Sequence, residues 1–152
     1  MSFLKKAAII IIIALVLTLL SLLNKRPSSQ KITINNTVIY VELAIAPEEK
    51  QRGLSGSKLQ ENQGMLFVFD NKTIPSFWMK DMLIPLDIIW IEDTKIVQID
   101  ENVPAPNSGE PDTNLRLYQP LAPINYVLEV NAGFSEKHGI KVGDAVDLSG
   151  IR

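Results

Sequence analysis

The chain has no cysteine and a single histidine among its 152 residues. The first absence removes disulfide staples, a thiolate nucleophile, cysteine-ligated zinc and a lipid-modified cysteine anchor. The second removes multi-histidine metal centres. No motif for another metal or a cofactor is found, and none is expected. A basic run is also missing from most of the chain. Residues 27–152 hold 11 basic and all 17 acidic groups, a balance of 11 − 17 = −6. That acidity argues against nucleic-acid binding. Any chemistry must come from carboxylates, Lys, Arg, Tyr, Ser, Thr or an aromatic pocket. A length of 152 suits one folded domain.

Residues 1–26 have the opposite character, with Lys5, Lys6, Lys25 and Arg26 and no acid, so they carry 4 − 0 = +4. Between these charges Ala7 to Leu23 is an apolar run of 17 residues broken only by Thr18 and Ser21. As a helix it would span roughly 26 Å, just under a hydrocarbon core of ~30 Å. The flanking Lys and Arg could snorkel to the headgroups. A cleaved signal peptide would need a shorter apolar region and a small-x-small site, and Ser21-Leu22-Leu23-Asn24 supplies no good one. The expectation is an uncleaved signal anchor over 1–26, a cell-membrane location with one pass, and the acidic domain on the extracytoplasmic side.

Residues 27–36 read as a linker, Pro27-Ser28-Ser29-Gln30, running into a first strand; residues 37–152 read as a β-rich domain. Lys31–Ile34 and Thr37–Ala44 flank Asn35-Asn36 and suggest a hairpin. Pro47 can open a short helix with Glu48 and Glu49 in its first turn and Gly53 at its end. Met65–Phe69, Ser76–Met82, Leu86–Glu92, Lys95–Asp100, Tyr126–Asn131 and Ala145–Leu148 follow as strands, and Phe134–His138 as a helical turn before Gly139. Residues 103–123 hold five of the nine prolines and read as a long loop. The expected fold class is mainly β: a small barrel or sandwich of about seven short strands with one or two short helices, preceded by one transmembrane helix.

Two strands carry out-of-place polar groups. In Leu86–Ile91, Leu86, Ile88 and Trp90 share one face while Asp87, Ile89 and Ile91 share the other, so Asp87 interrupts an apolar surface. In Tyr126–Asn131, Glu129 and Asn131 share a face with Val127. A carboxylate so placed needs a cation or several donors, or its pKa rises. Lys80 and Arg52 are the nearest cations. If the two strands pair, Asp87, Glu129, Asn131 and Lys80 could line one polar pocket; the simpler reading is a structural charge network. Both tryptophans read first as packing residues, with Trp78 the better surface aromatic, while His138 beside Gly139 reads as a capping or surface residue.

Several blocks, taken together and in order, resemble one family. They are Val41-Glu42-Leu43-Ala44, Arg52-Gly53-Leu54, Gly64 to Phe69, Ser76-Phe77-Trp78-Met79-Lys80, Ile84-Pro85-Leu86-Asp87-Ile88-Ile89, Tyr126 to Gly133, and Gly143-Asp144. Their order and spacing resemble the domain of unknown function 192 family over about residues 38–147. The resemblance implies a compact β-rich prokaryotic domain, often exported or membrane-anchored, with no established activity. Where the family usually continues Trp-Met-Lys with Asn-Thr, this chain has Asp81-Met82. Arg52, Trp78, Lys80, Asp87, Glu129 and Asn131 fall on motif positions and form the candidate ligand-binding set.

The leading expectation is a non-enzymatic, extracytoplasmic binding or envelope-accessory module with an anionic, glycan, peptide or envelope-protein ligand. The alternative is a carboxylate-dependent enzyme in which Asp87 and Glu129 divide acid and base roles on an envelope glycan or related polymer. A third reading is purely structural, with the charges paired among themselves.

Overall fold

The computed structural model describes residues 10–15 and 30–151. Residues 10–15 are helical. The rest of the expected anchor lies outside the described residues. Among the described residues no helix is long and apolar enough to cross a membrane.

Seven strands build one sheet: β1 (Gln30–Ile34), β2 (Thr37–Ala44), β3 (Gln63–Thr73), β4 (Leu86–Glu92), β5 (Lys95–Val103), β6 (Ile124–Asn131) and β7 (Val146–Asp147). Two short helices, α1 (Pro47–Arg52) and α2 (Phe134–His138), join them, with a single 3-10 turn at Asp112–Asn114. The spatial order is β5-β4-β6-β3-β2-β1-β7. Every pairing is antiparallel except β2 with β3, whose crossover contains α1. The sheet curls until its edges approach each other. Lys95 at the start of β5 bridges Ala145 just before β7, and the Ile96 and Val146 amides donate to the Asp144 and Thr94 carbonyls at 3.0 and 2.8 Å.

Curling gives the sheet an inner and an outer face, and each carries its own core. Inside lie β-branched and leucine side chains: Ile32, Ile39, Leu66, Ile89, Ile91 and Leu128 among them, closed at one end by Phe134 of α2 and by Ile140. Outside, Met65, Phe67, Ile88, Trp90 and Val127 are covered by Leu54, Met79, Met82, Val103 and Tyr118 from the connecting segments. Strand β4 is therefore buried from Leu86 to Ile91 on both faces. A strand covered on both sides reads as a continuous apolar run, which is the pattern its sequence shows.

The expected strand over Ser76–Met82 does not form. Only Phe77 bridges, to Tyr118, with the two amides and carbonyls exchanging bonds of 2.9 and 2.8 Å. The chain then turns at Lys80-Asp81, where Asp81 sits at φ 56°. Its apolar residues pack as a strap across the outer face instead of alternating within the sheet. The long loop over 103–123 supplies the other half of that cover through Val103 and Tyr118.

Candidate functional site

A cavity of about 200 Å³ opens on the outer face where α1, β3 and the strap meet. Helix α1 buries none of its residues. Its start is fixed by the Glu49 carboxylate, which accepts the Ile45 and Ala46 amides at 2.8 and 2.9 Å. These bonds, with the Ala46 one foremost, hold the Glu49 carboxyl below its ordinary pKa. The helix thus presents Lys50 and Arg52 to the opening. Gly53 ends it at φ 51° and ψ −137°, a conformation open essentially to glycine. That turn drops Leu54 into the outer core, 4% exposed, beside the cavity.

The walls are aromatic. Phe67 and Phe69 alternate on one face of β3, and Phe77 and Trp78 come from the strap. Phe77 stands edge-on to Phe67 and to Trp90, with ring centroids 4.7 and 5.5 Å apart, a favoured geometry that fixes the deeper wall. Trp90 is itself sealed and donates its Nε1–H to Asp100 at 2.6 Å. Trp78 is 45% exposed at the rim. Lys50 places its ammonium 4.8 Å from the centre of the Phe69 ring.

Glu129 lies at the bottom of this cavity, only 5% exposed. It projects from β6 between its strand partners Met65 and Ile88. No hydrogen bond or ion pair to its carboxyl forms among the described residues, and burial alone pushes its pKa up to about 8. A carboxyl in apolar surroundings without a partner keeps its proton, because ionisation would place an uncompensated charge in a low-dielectric site. At neutral pH it is a hydrogen-bond donor as well as an acceptor. Beneath it, Gly64 approaches β6 so closely that a Cβ would lie 2.6 Å from the Glu129 carbonyl oxygen.

Of the six residues singled out from the sequence, the cavity gathers Arg52, Trp78 and Glu129. The β4 and β6 strands do pair, but in a register that sets Asp87 opposite Val130 and Ile88 opposite Glu129. Directly paired residues share a face, so Asp87 points inward and Glu129 outward. The common pocket that strand pairing could have made from Asp87, Glu129, Asn131 and Lys80 is therefore not formed. Asp87 is fully buried and spends both oxygens on backbone: Oδ1 accepts the Asn102 and Gly133 amides at 2.9 and 3.1 Å, and Oδ2 the Ser135 amide at 2.9 Å. It ties a bulge in β5 to the start of α2. Asn131 donates to the Gln60 carbonyl at 3.0 Å. Lys80 pairs with Asp112, which raises its pKa, and lies 5.4 Å over the Trp78 ring, outside the cavity lining.

Sequence reasoning missed Lys50, Phe67, Phe69 and Phe77 as lining residues. The alternation of Met65, Phe67 and Phe69 was visible, but nothing local says that one face of β3 meets a strap ten residues downstream. His138 is half-buried rather than fully on the surface: its ring packs against Phe134 at 4.3 Å, tilted by 41°, and its Nε2 is buried without a partner among the described residues.

The comparisons with known proteins agree with this architecture. A protein of Sinorhizobium meliloti 1021, provisionally described as a transcription regulator, is 28% identical, with a TM-score of 0.72 over 81% of this chain and 95% of that one. A protein of unknown function from Novosphingobium aromaticivorans DSM 12444 is 30% identical, with a TM-score of 0.68 over 77% and 83% of the two chains. No curated protein sequence matches the chain. The family model for DUF192, described as "Uncharacterized ACR", matches residues 30–148. The chain belongs to the domain of unknown function 192 family.

Proposed function

We propose that this domain is a small-ligand-binding module held at the membrane by its N-terminal segment, with the cavity on the extracytoplasmic side. One observation carries the binding reading: a nearly buried carboxyl with no hydrogen-bond partner among the described residues lines an open, aromatic-walled cavity. Such a group costs free energy in the empty protein, and a ligand that hydrogen-bonds to it recovers that cost. The +4 charge and apolar run of residues 1–26 support the anchor.

A two-carboxylate enzyme is not supported. Asp87 and Glu129 lie on opposite faces of one sheet, so they cannot flank a single scissile bond. The description of the Sinorhizobium meliloti protein as a regulator is not carried over, because residues 27–152 bear a charge of −6.

The binding reading is tested by ligand-observed NMR of the full chain against a fragment set, with Trp78→Ala and Glu129→Gln alongside. Hits that both substitutions weaken support it; hits indifferent to both, or none at all, refute it. For orientation, protease added to spheroplasts should digest the domain without lysis. Protection until the membrane is broken would overturn the extracytoplasmic assignment.

A further inference from the structure

The charge around the cavity runs against the charge of the domain. Residues 27–152 carry −6, yet the lining has two cations, Lys50 and Arg52, and one acid, Glu129. Neither Lys50 nor Arg52 forms a salt bridge among the described residues, in which Lys72, Lys80 and Lys137 take the ion pairs. Even with Glu129 ionised the lining would carry 2 − 1 = +1, and burial, which raises its pKa, makes the balance more positive still.

These groups are also separated by depth. Arg52 is exposed and Lys50 partly so, both on a helix that buries nothing. Glu129 is only 5% exposed and lies with Phe67, 1% exposed, on the buried side of the lining, while Trp78 is 45% exposed at the rim. The volume of about 200 Å³ sets the size. An apolar cavity of about 150 Å³ is enough to hold benzene, so this one accommodates a ring with one or two small substituents.

We propose that the cavity binds a small monoanion with a flat apolar ring, its charge at the Lys50–Arg52 mouth and a neutral polar group at the inner end against the Glu129 carboxyl. This rests on the ligand-binding reading and specifies its chemistry. The ring would lie among Phe67, Phe69, Phe77 and Trp78. Arg52 offers a planar fork that matches a carboxylate, and Lys50 a mobile point charge that can leave the Phe69 face to meet it. A cationic ring compound would instead place its charge beside two cations, or would require the buried carboxyl to ionise.

The test compares three probes of similar size on the full chain in lipid nanodiscs at pH 6.5, by saturation-transfer NMR titration. They are 4-hydroxybenzoate, a monoanion; 4-hydroxybenzyl alcohol, neutral; and tyramine, a cation. The expected result is that 4-hydroxybenzoate binds at least tenfold more tightly than tyramine. A Lys50→Ala, Arg52→Ala double variant should remove that preference, weakening 4-hydroxybenzoate at least tenfold more than it changes the affinity for the neutral alcohol. Because these residues are on the solvent side of α1, circular dichroism should show the variant folded. If tyramine binds as tightly as the anion or more so, or if the double variant keeps the preference, the anion assignment is overturned while the cavity reading stands. If none of the three binds, or if Trp78→Ala leaves all three affinities unchanged, the cavity reading falls with it.

Discussion

Replacing Glu129 with Gln should make the protein more stable as the pH rises, in proportion to the charge that the native site refuses to carry. The ordinary carboxyl value is 4.5 and burial moves it to about 8 in the folded state. Between these values the folded protein retains a proton that the unfolded chain releases. Stability of the parent must therefore fall as the pH rises through this window, by up to about 1.4 kcal/mol per pH unit from this group. Below about 4.5 both states are protonated and above about 8 both are ionised, so the contribution is flat on either side. From pH 5 to pH 8 the parent should lose about 3 kcal/mol relative to Glu129→Gln. Gln is close in shape and cannot ionise, so the difference between the two proteins isolates this titration from every other group. Urea unfolding monitored by circular dichroism at pH 5, 6, 7 and 8 measures it. Near pH 5 the two should be within about 1 kcal/mol, with the amide's own unmet hydrogen bonds slightly favouring the parent. Parallel pH profiles would mean that Glu129 titrates as an exposed acid, and the account of a neutral, unpartnered carboxyl would be wrong.

Asp87→Asn should destabilise the fold by at least about 2 kcal/mol at pH 7, because an amide NH₂ would face a backbone N–H that now has an acceptor. Equilibrium urea denaturation reads this, and a loss under about 0.5 kcal/mol would contradict the three-bond anchor. Gly64→Ala should cost about 1–3 kcal/mol, since its Cβ would press on the Glu129 carbonyl at 2.6 Å and push β3 from β6; an unchanged melting temperature would exclude that close approach. Lys80→Ala should change stability by less than about 1 kcal/mol, as its pair with Asp112 is solvent-exposed. It should also leave ring-probe affinity within about twofold, because Lys80 does not line the cavity; a tenfold loss by the same NMR titration would reinstate it as a contact.

Strand positions were legible where periodicity and turn chemistry acted together. Thr37–Ala44 and Leu86–Glu92 fall where the sequence puts them, as does the α2 helix from Phe134 to His138. Asn35 and Asp93, both at positive φ, mark the two hairpin turns with residues that tolerate the left-handed region. The strap over Ser76–Met82 was not legible, because apolar residues covering a sheet look like apolar residues within one. Of the six motif-position residues, Arg52, Trp78 and Glu129 line one cavity. Asp87 does not, for a reason that one strand cannot reveal. Its pattern said correctly that a carboxylate is buried, but whether it shares a face with Glu129 depends on a register set between strands. The partners of Asp87 were equally hidden. They are backbone amides of a bulge and a helix start rather than cations.

A protonated Glu129 in an open cavity underlies both the stability and the binding predictions. Side-chain carbon-13 NMR of its Cδ across pH 4 to 10, on the full chain with and without 4-hydroxybenzoate, tests both halves at once. The account predicts a midpoint near 8 for the free protein, and a Glu129 signal that moves when the probe is added at pH 6.5. A midpoint near the ordinary 4.5, with a signal unmoved by the probe, would contradict it.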